Sequence, residues 1–317
     1  MSSRKIVFFH TLNDYSGSPN VLSSVIKGLA RKGFSIDLYT SSSEGGHLSG
    51  ISDINYYRVY YRFSSNRALT LFRFMFLQLR LFFISLKYLK NQDIIFYINT
   101  ILPFGAALGG KLIHKKILYH IHENPVKKNV IHKLAIRIFL KVSDKALFVS
   151  KYLFDSYLFD SEKKILVNNA LSPEFSMLAK ANQPEFCPPF NILMISSLKK
   201  YKGIDIFFDL AKKLVQFNFC LVLNAGITEI EEYFEDRKIP ENFSFFPGSN
   251  NLHQYYSKAQ LVVNLSLPDL FIESFGLTIL EAQNYGIPVI VPPYGGVAEL
   301  VEDGINGYKV DPHNQSE

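Results

Sequence analysis

The 317 residues, 48% of them hydrophobic, can bury one large core or two medium ones, and the length leans toward two domains. Two cysteines, Cys187 and Cys220, are too few for a disulfide framework and lack metal-ligand spacing, which excludes a disulfide-stapled secreted scaffold and fits a reducing, cytoplasmic setting. The net charge of +6 conceals a split: residues 1–168 carry 24 Lys/Arg against 10 Asp/Glu and residues 169–317 carry 10 against 18, so the halves are +14 and −8. A basic half suits an anionic partner, and nucleic acid, an acidic lipid surface and a phosphorylated acceptor stay open beside the plainer reading of a solvated basic surface.

Met-Ser-Ser-Arg-Lys runs at once into Ile6-Val7-Phe8-Phe9, too short an apolar run for a signal-peptide core, and predicts a first buried strand. Short runs rich in Val, Ile, Phe and Tyr follow at 35–40, 56–61, 94–98, 117–121, 146–149 and 165–167, with helical stretches between them. After a polar, proline-bearing stretch around Ser172 to Pro189 the pattern restarts at 191–195 and continues at 219–223, 243–246, 260–264, 288–291 and 307–310. Two β/α series predict two parallel sheets covered by helices, because parallel strands need crossover connections. The boundary falls near 168–190, giving domains 1–168 and 169–317. No repeat of solenoid length and no low-complexity tract is evident.

Within the first series, Ser16-Gly17-Ser18-Pro19-Asn20 forms a glycine-containing turn after the first strand. Arg67 to Lys90 is the most apolar helical stretch, yet Arg73, Arg80 and Lys87 interrupt it every seven residues, so no uninterrupted run approaches the ~20 residues of a membrane span. Those cations form one stripe on an apolar helix, and Lys133, Arg137 and Lys141 form a second. Two readings fit both stripes: the solvated face of a sheet-covering helix, or an interfacial helix with snorkelling cations on an anionic membrane. Tyr119-His120-Ile121-His122-Glu123 ends a predicted strand, the edge where open α/β sheets place ligands. Strand alternation puts His120 and His122 on one face, and their spacing also suits a metal.

In the second series, Lys199 to Lys202 reads as a basic turn opening a helix. The richest segment is Glu273-Ser274-Phe275-Gly276-Leu277-Thr278-Ile279-Leu280-Glu281, which follows a strand and opens a helix ending at Gly286-Ile287-Pro288. At such a helix start the first amides lack internal partners and the dipole end is positive, so the amides of Phe275 to Thr278 can hold a phosphate. Gly276 permits close approach to the backbone. Glu273 can accept from sugar hydroxyls and Glu281 from paired ribose hydroxyls, whereas two glutamates at this spacing also mark a solvated helix face.

The whole tract resembles the C-terminal signature of the family 4 (group 1) retaining glycosyltransferases: Glu273-Ser274-Phe275-Gly276-Leu277, Glu281-Ala282, Gly295-Gly296-Val297-Ala298-Glu299 and Asp303-Gly304-Ile305-Asn306-Gly307-Tyr308. The resemblance continues in family order through the turn at Gly17, Phe148-Val149-Ser150-Lys151-Tyr152 and Val167-Asn168-Asn169-Ala170, and so covers nearly the whole chain. It implies the GT-B fold, two Rossmann-like β/α domains facing across a cleft, with acceptor on 1–168 and nucleotide-sugar donor on 169–317. It implies transfer with retention and assigns Lys202 to the donor diphosphate, His122 rather than His120 to the transferred sugar, and Gly17 to a loop over the donor phosphates. Two positions depart from the pattern: Ser197 stands where an arginine is usual, and Ser274 where glycine is. The chain stops after Asp311-Pro-His-Asn with no counterpart of the family's closing helices, which reads as a truncated fragment or a less constrained hinge.

Alternatives are weighed by motif. A dehydrogenase fingerprint, a phosphate-loop signature and an Asp-x-Asp metal motif are absent from the sequence, as are nucleic-acid-binding modules. The expectation is therefore a hexosyl-type transferase without metal or other cofactor. Its substrates are a nucleotide-sugar donor and a saccharide or lipid-linked acceptor, it binds no nucleic acid, and it is cytoplasmic, peripheral on the inner membrane face. A GT-B epimerase or phosphorylase, or a catalytically silent nucleotide- or polyanion-binding protein, are the competing expectations.

Overall fold

The computed structural model describes residues 4–41, 45–62, 64–125, 130–184, 188–249 and 251–314. The chain divides into two compact units, Met1–Asn168 and Asn169–Glu317.

The first unit is built on β1 (Lys5–Phe9), α1 (Gly17–Arg31), β2 (Ser35–Ser41), β3 (Asn55–Val59), α2 (Arg67–Leu86), β4 (Ile94–Asn99), α3 (Phe104–Leu112), β5 (Lys116–Ile121), α4 (Val130–Val142), β6 (Lys145–Phe148), α5 (Lys151–Ser156) and β7 (Lys164–Leu166). Its seven strands are all parallel and lie in the order β3-β2-β1-β4-β5-β6-β7. Val7, Phe8 and Phe9 are fully buried, as are Phe96, Ile98, Tyr119 and Ile121. Crossover helices cover both sheet faces, so these strands are continuously apolar rather than alternating. The order reverses direction between β1 and β4, the kind of switch point beyond whose strand ends doubly wound sheets leave a ligand-binding crevice.

The second unit repeats the plan with α6 (Pro173–Ala181), β8 (Asn191–Ser197), α7 (Ile204–Lys213), β9 (Asn218–Asn224), α8 (Ile227–Phe234), β10 (Phe243–Pro247), α9 (His253–Tyr256), β11 (Leu261–Val263), α10 (Leu277–Asn284), β12 (Val289–Val291) and β13 (Gly307–Lys309). Its six parallel strands run β10-β9-β8-β11-β12-β13, so the reversal falls between β8 and β11. One face packs Phe207, Phe208, Phe219, Phe234 and Phe243 into an aromatic core, and the other packs Tyr256, Ile279, Tyr285, Val289 and Val291. Burying each such side chain is worth about 1.5–3 kcal/mol, enough to hold the strand ends as rigid platforms.

Candidate functional site

In the second unit the switch point is lined from both sides. After β8 the chain makes a single 3₁₀ turn, Lys200–Lys202, and enters α7 through Gly203 at φ 79°. A side chain on Gly203 would meet the carbonyl of Leu265 at 2.2 Å, and the Leu267 amide donates to the Tyr201 carbonyl at 2.8 Å. The lysine turn is thus seated directly on the loop that follows β11. Across this seam Lys202 Nζ donates to Glu273 Oε1 at 2.5 Å, with only 15% of either side chain exposed. Ser266 Oγ donates to the same oxygen at 2.8 Å and Asn264 Nδ2 at 3.3 Å. Burial by itself raises the Glu273 carboxyl, but the Lys202 charge and these hydrogen bonds outweigh it and hold the group below the ordinary carboxylate range. All three bonds fall on Oε1, which leaves Oε2 to accept from a ligand. Lys202 Nζ also lies 4.1 Å from the centre of the Phe271 ring, itself stacked on Tyr201 at 4.9 Å.

The start of α10 is bent into position by two left-handed glycines. Gly276 has φ 104°, and a Cβ there would meet Val297 Cγ2 at 2.7 Å. Gly295 has φ 85°, and a Cβ there would meet the Glu273 carbonyl at 2.5 Å, the same carbonyl that accepts from the Gly296 amide at 2.8 Å. The paired-glycine loop therefore clamps the backbone of Glu273. No side chain caps α10, and the helix start follows Ser274 and Phe275, with Phe275 buried beneath it and Ser274, Leu277 and Thr278 partly exposed. Orphan amides and a positive dipole end make this start suited to an anion.

Glu281 lies elsewhere than on a solvated face. It is 6% exposed on the inner side of α10 and accepts from Tyr256 OH at 2.7 Å. Burial raises its carboxyl to about 7, only partly offset by that hydrogen bond. A buried acid that titrates near neutrality inside a hydrophobic core costs stability and is the type of group found at functional sites. Ser197 ends β8 half-buried.

In the first unit the corresponding crevice collects imidazoles. His10 follows β1, Asn99 ends β4, and His120 and His122 lie at the end of β5; their ring centres are 4.2 Å apart, on one side of the strand. Asn99, fully buried, bridges them: Nδ2 donates to His10 Nδ1 at 3.1 Å and to the Ser18 carbonyl at 3.4 Å, while Oδ1 faces His122 Nε2 at 3.1 Å. The Ser18 carbonyl sets the amide's orientation, so His122 donates through Nε2–H and keeps Nδ1 as an acceptor. Tyr97 OH bonds His120 Nδ1 at 2.8 Å. Burial lowers His10 and His120 to about 4, and burial together with its two imidazole neighbours places His122 well below the usual histidine range. All three are neutral at physiological pH. Gly17 opens α1 beside this cluster, exposed, one residue after the N-cap Ser16.

Among the described residues no group of three or more His, Cys, Asp or Glu is arranged to hold a metal ion. Cys220 carries a free thiol that burial raises to about 11, while Cys187 lies outside the described residues. The geometry also adds participants that sequence reasoning passed over: Asn264, Ser266 and Phe271 around Lys202 and Glu273, Tyr256 on Glu281, and His10 and Asn99 beside His122. Four of the six (Asn264, Ser266, His10 and Asn99) stand at or just beyond the C-terminal ends of strands flanking a switch point, a signal available from the strand pattern.

Residues 179–317 match the family described as glycosyl transferases group 1. The match falls on the second unit, which is thus similar to the group 1 glycosyltransferases. A sucrose synthase from Melioribacter roseus is 52% identical over 173 residues, covering 49% of this chain and 21% of that protein. An uncharacterised glycosyltransferase of Methanocaldococcus jannaschii is 30% identical over 131 residues, covering 39% of this chain and 32% of its own length. The chain thus matches less than a third of either relative. Among solved structures, Anabaena HepE in complex with UDP and glucose superposes with TM-score 0.75 at 19% identity, covering 98% of this chain and 86% of that one. Sucrose-phosphate synthase from Thermosynechococcus elongatus gives 0.77 at 16% identity with the same coverage, and the lipopolysaccharide outer core galactosyltransferase WaaB gives 0.69 at 19%, covering 98% and 87%. These likenesses fix the fold as GT-B.

Proposed function

We propose that this protein is a group 1 glycosyltransferase that moves a hexosyl-type sugar, with retention of anomeric configuration, from a nucleotide-sugar donor to a saccharide or lipid-linked acceptor in surface polysaccharide or glycolipid synthesis. The observation that carries the reading is the Lys202–Glu273 pair at the second unit's switch point, seated beside the uncapped start of α10. Anabaena HepE, of the same fold, is solved with UDP-glucose, which supports a nucleotide-sugar donor here.

In this reading the donor diphosphate takes the Phe275 to Thr278 amides and one proton of Lys202, which turns from Glu273 toward the anion without leaving the Phe271 ring. Glu273, kept ionised, offers Oε2 to sugar hydroxyls, and Glu281 and Tyr256 meet the ribose. As the glycosidic bond to the diphosphate breaks, negative charge grows where these fixed donors already point, so little reorganisation is needed. The first unit takes the acceptor side, with His122, its Nε2–H held by Asn99, presenting Nδ1 as an acceptor for a sugar hydroxyl. The scheme needs no metal.

Thermal stabilisation measured with UDP-, GDP-, ADP- and CMP-linked sugars tests the donor site. One nucleotide class should raise the Tm of the wild type and leave Glu281→Ala unmoved. Stabilisation by none of them would sink the reading, and stabilisation without transfer to any acceptor would favour a silent binding protein.

A further inference from the structure

The outer face of α2 has no role in the reading above. α2 is long and apolar enough by length and composition to cross a bilayer, yet its inner side is committed to α3. A Cβ on Gly105 would meet the Gln78 carbonyl at 2.0 Å, and one on Gly109 the Phe82 carbonyl at 2.7 Å, so the two helices touch backbone to backbone. The Gln78 side chain accepts from the Gly105 amide at 2.9 Å, Ser85 Oγ donates to the Ala106 carbonyl at 3.1 Å, and Phe74 packs edge-on against Phe104. Removing α2 to span a membrane would strand those buried polar groups.

Opposite this seat, Phe72, Phe76, Leu79 and Phe83 are 68, 51, 53 and 58% exposed. Their spacing of four, three and four residues draws one ridge along a helix about 30 Å long. Arg80 and Lys87, both exposed, flank the ridge on one side. α3, packed against α2, exposes Leu108 and Leu112, and α4, packed against α3, exposes Val130 and Leu134 on the same side as Lys133, Arg137 and Lys141. None of the three helices contains an Asp or Glu. An apolar ridge this large on a soluble surface marks an interaction site, and a carboxylate-free basic surround selects an anionic partner. A partner protein offering acidic side chains would leave the three exposed phenylalanines needing a matching apolar groove; a lipid surface supplies anion and hydrocarbon together.

We propose that the exposed face of α2, with the basic stripe of α4, binds the surface of an anionic lipid bilayer, the phenylalanines entering the acyl boundary and the cations resting among phosphates. The inference stands apart from the transfer reading, because its test needs no sugar substrate.

The chain has no tryptophan, so Phe76→Trp installs a single reporter. Its emission should shift to the blue on adding vesicles of phosphatidylcholine mixed with phosphatidylglycerol, and stay unmoved with phosphatidylcholine alone. In co-sedimentation, Phe76→Ser/Phe83→Ser should bind the mixed vesicles at least tenfold more weakly while remaining folded, with a Tm lowered by no more than a few degrees, since both side chains are more than half exposed. Arg80→Gln/Arg137→Gln and added salt should each weaken binding further. Equal binding to neutral and anionic vesicles, or undiminished binding by the serine variant, would overturn the proposal. So would a lipid-independent dimer, seen by sedimentation velocity, that the serine variant abolishes.

Discussion

The two units share a strand order, and at the same place in each, the gap between the first and fourth strand of the series, they put opposite chemistry. The first unit gathers His10, His120 and His122 around Asn99, all uncharged. The second sets Lys202 against Glu273, both charged and nearly buried. Topology therefore decides where a site can be, and the side chains at the strand ends decide what it can do. A neutral, hydrogen-bonding pocket suits hydroxyls, and a preorganised charged one suits a diphosphate.

The comparison can be broken most severely at Lys202. If the second crevice is the one that meets developing negative charge, Lys202→Ala should lower kcat/KM by about 10²–10³-fold with the fold intact. A loss under about tenfold in a transfer assay would remove the distinction between the crevices.

The next largest effect is on acid stability. His10 and His120 titrate near 4 in the folded chain against 6.5 unfolded, so the unfolded state binds more protons between those values. Their neutral burial is therefore no burden above pH 6.5, and stability falls as pH drops toward 4, by about 2 kcal/mol per histidine at pH 5 and ~3 at pH 4. Hydrogen exchange corrected for its intrinsic rate should show β1, β4 and β5 losing protection over that window; unchanged protection to pH 4 would contradict it. Glu281 runs the other way. Its folded value near 7 lies above the unfolded 4.5, so the folded state holds the extra proton, and the advantage is lost as pH rises through 7. Glu281→Gln should accordingly stabilise the second unit at pH 8 by about 2 kcal/mol and do nothing at pH 4, while weakening nucleotide-sugar binding, a trade of stability against function. An equal change at both pH values would show that packing rather than charge is being read. The smallest expected effect is Gly276→Ala, about 1–2 kcal/mol by denaturant unfolding, because its φ of 104° is strained for alanine and Val297 sits where the methyl would go. A cost within error would mean the helix start relaxes.

Most strands were legible because they are short, largely apolar runs bounded by polar turns: Asn191 to Ile195 can be little else, and the observed β8 adds only Ser196 and Ser197. The glycines around Glu273 stood in the sequence only as a place for close backbone approach and as part of the family resemblance; that Gly295 and Gly296 clamp the Glu273 backbone is set by the fold. What escaped was long-range. Tyr256 reaches Glu281 across 25 residues, and Asn99 joins histidines on either side of it in the chain. No local pattern encodes that a core tyrosine will be a carboxyl's partner. The exposed ridge escaped for another reason: α2 is apolar nearly all round, so periodicity marks its cations but cannot say which apolar side is buried. Packing against α3, where Gly105 and Gly109 let the two backbones touch, decides that.

That glycine seam also sets what mutation can explore. Gly105 and Gly109 admit no side chain, so the inner register of α2 is frozen, while Phe72, Phe76, Leu79 and Phe83, each more than half exposed, are the positions of α2 where exchange should cost least. A library of helix-compatible residues, without proline or glycine, at these four outer positions should stay folded. Membrane affinity, partner choice or indifference to both could then be selected on one helix face with neither crevice touched.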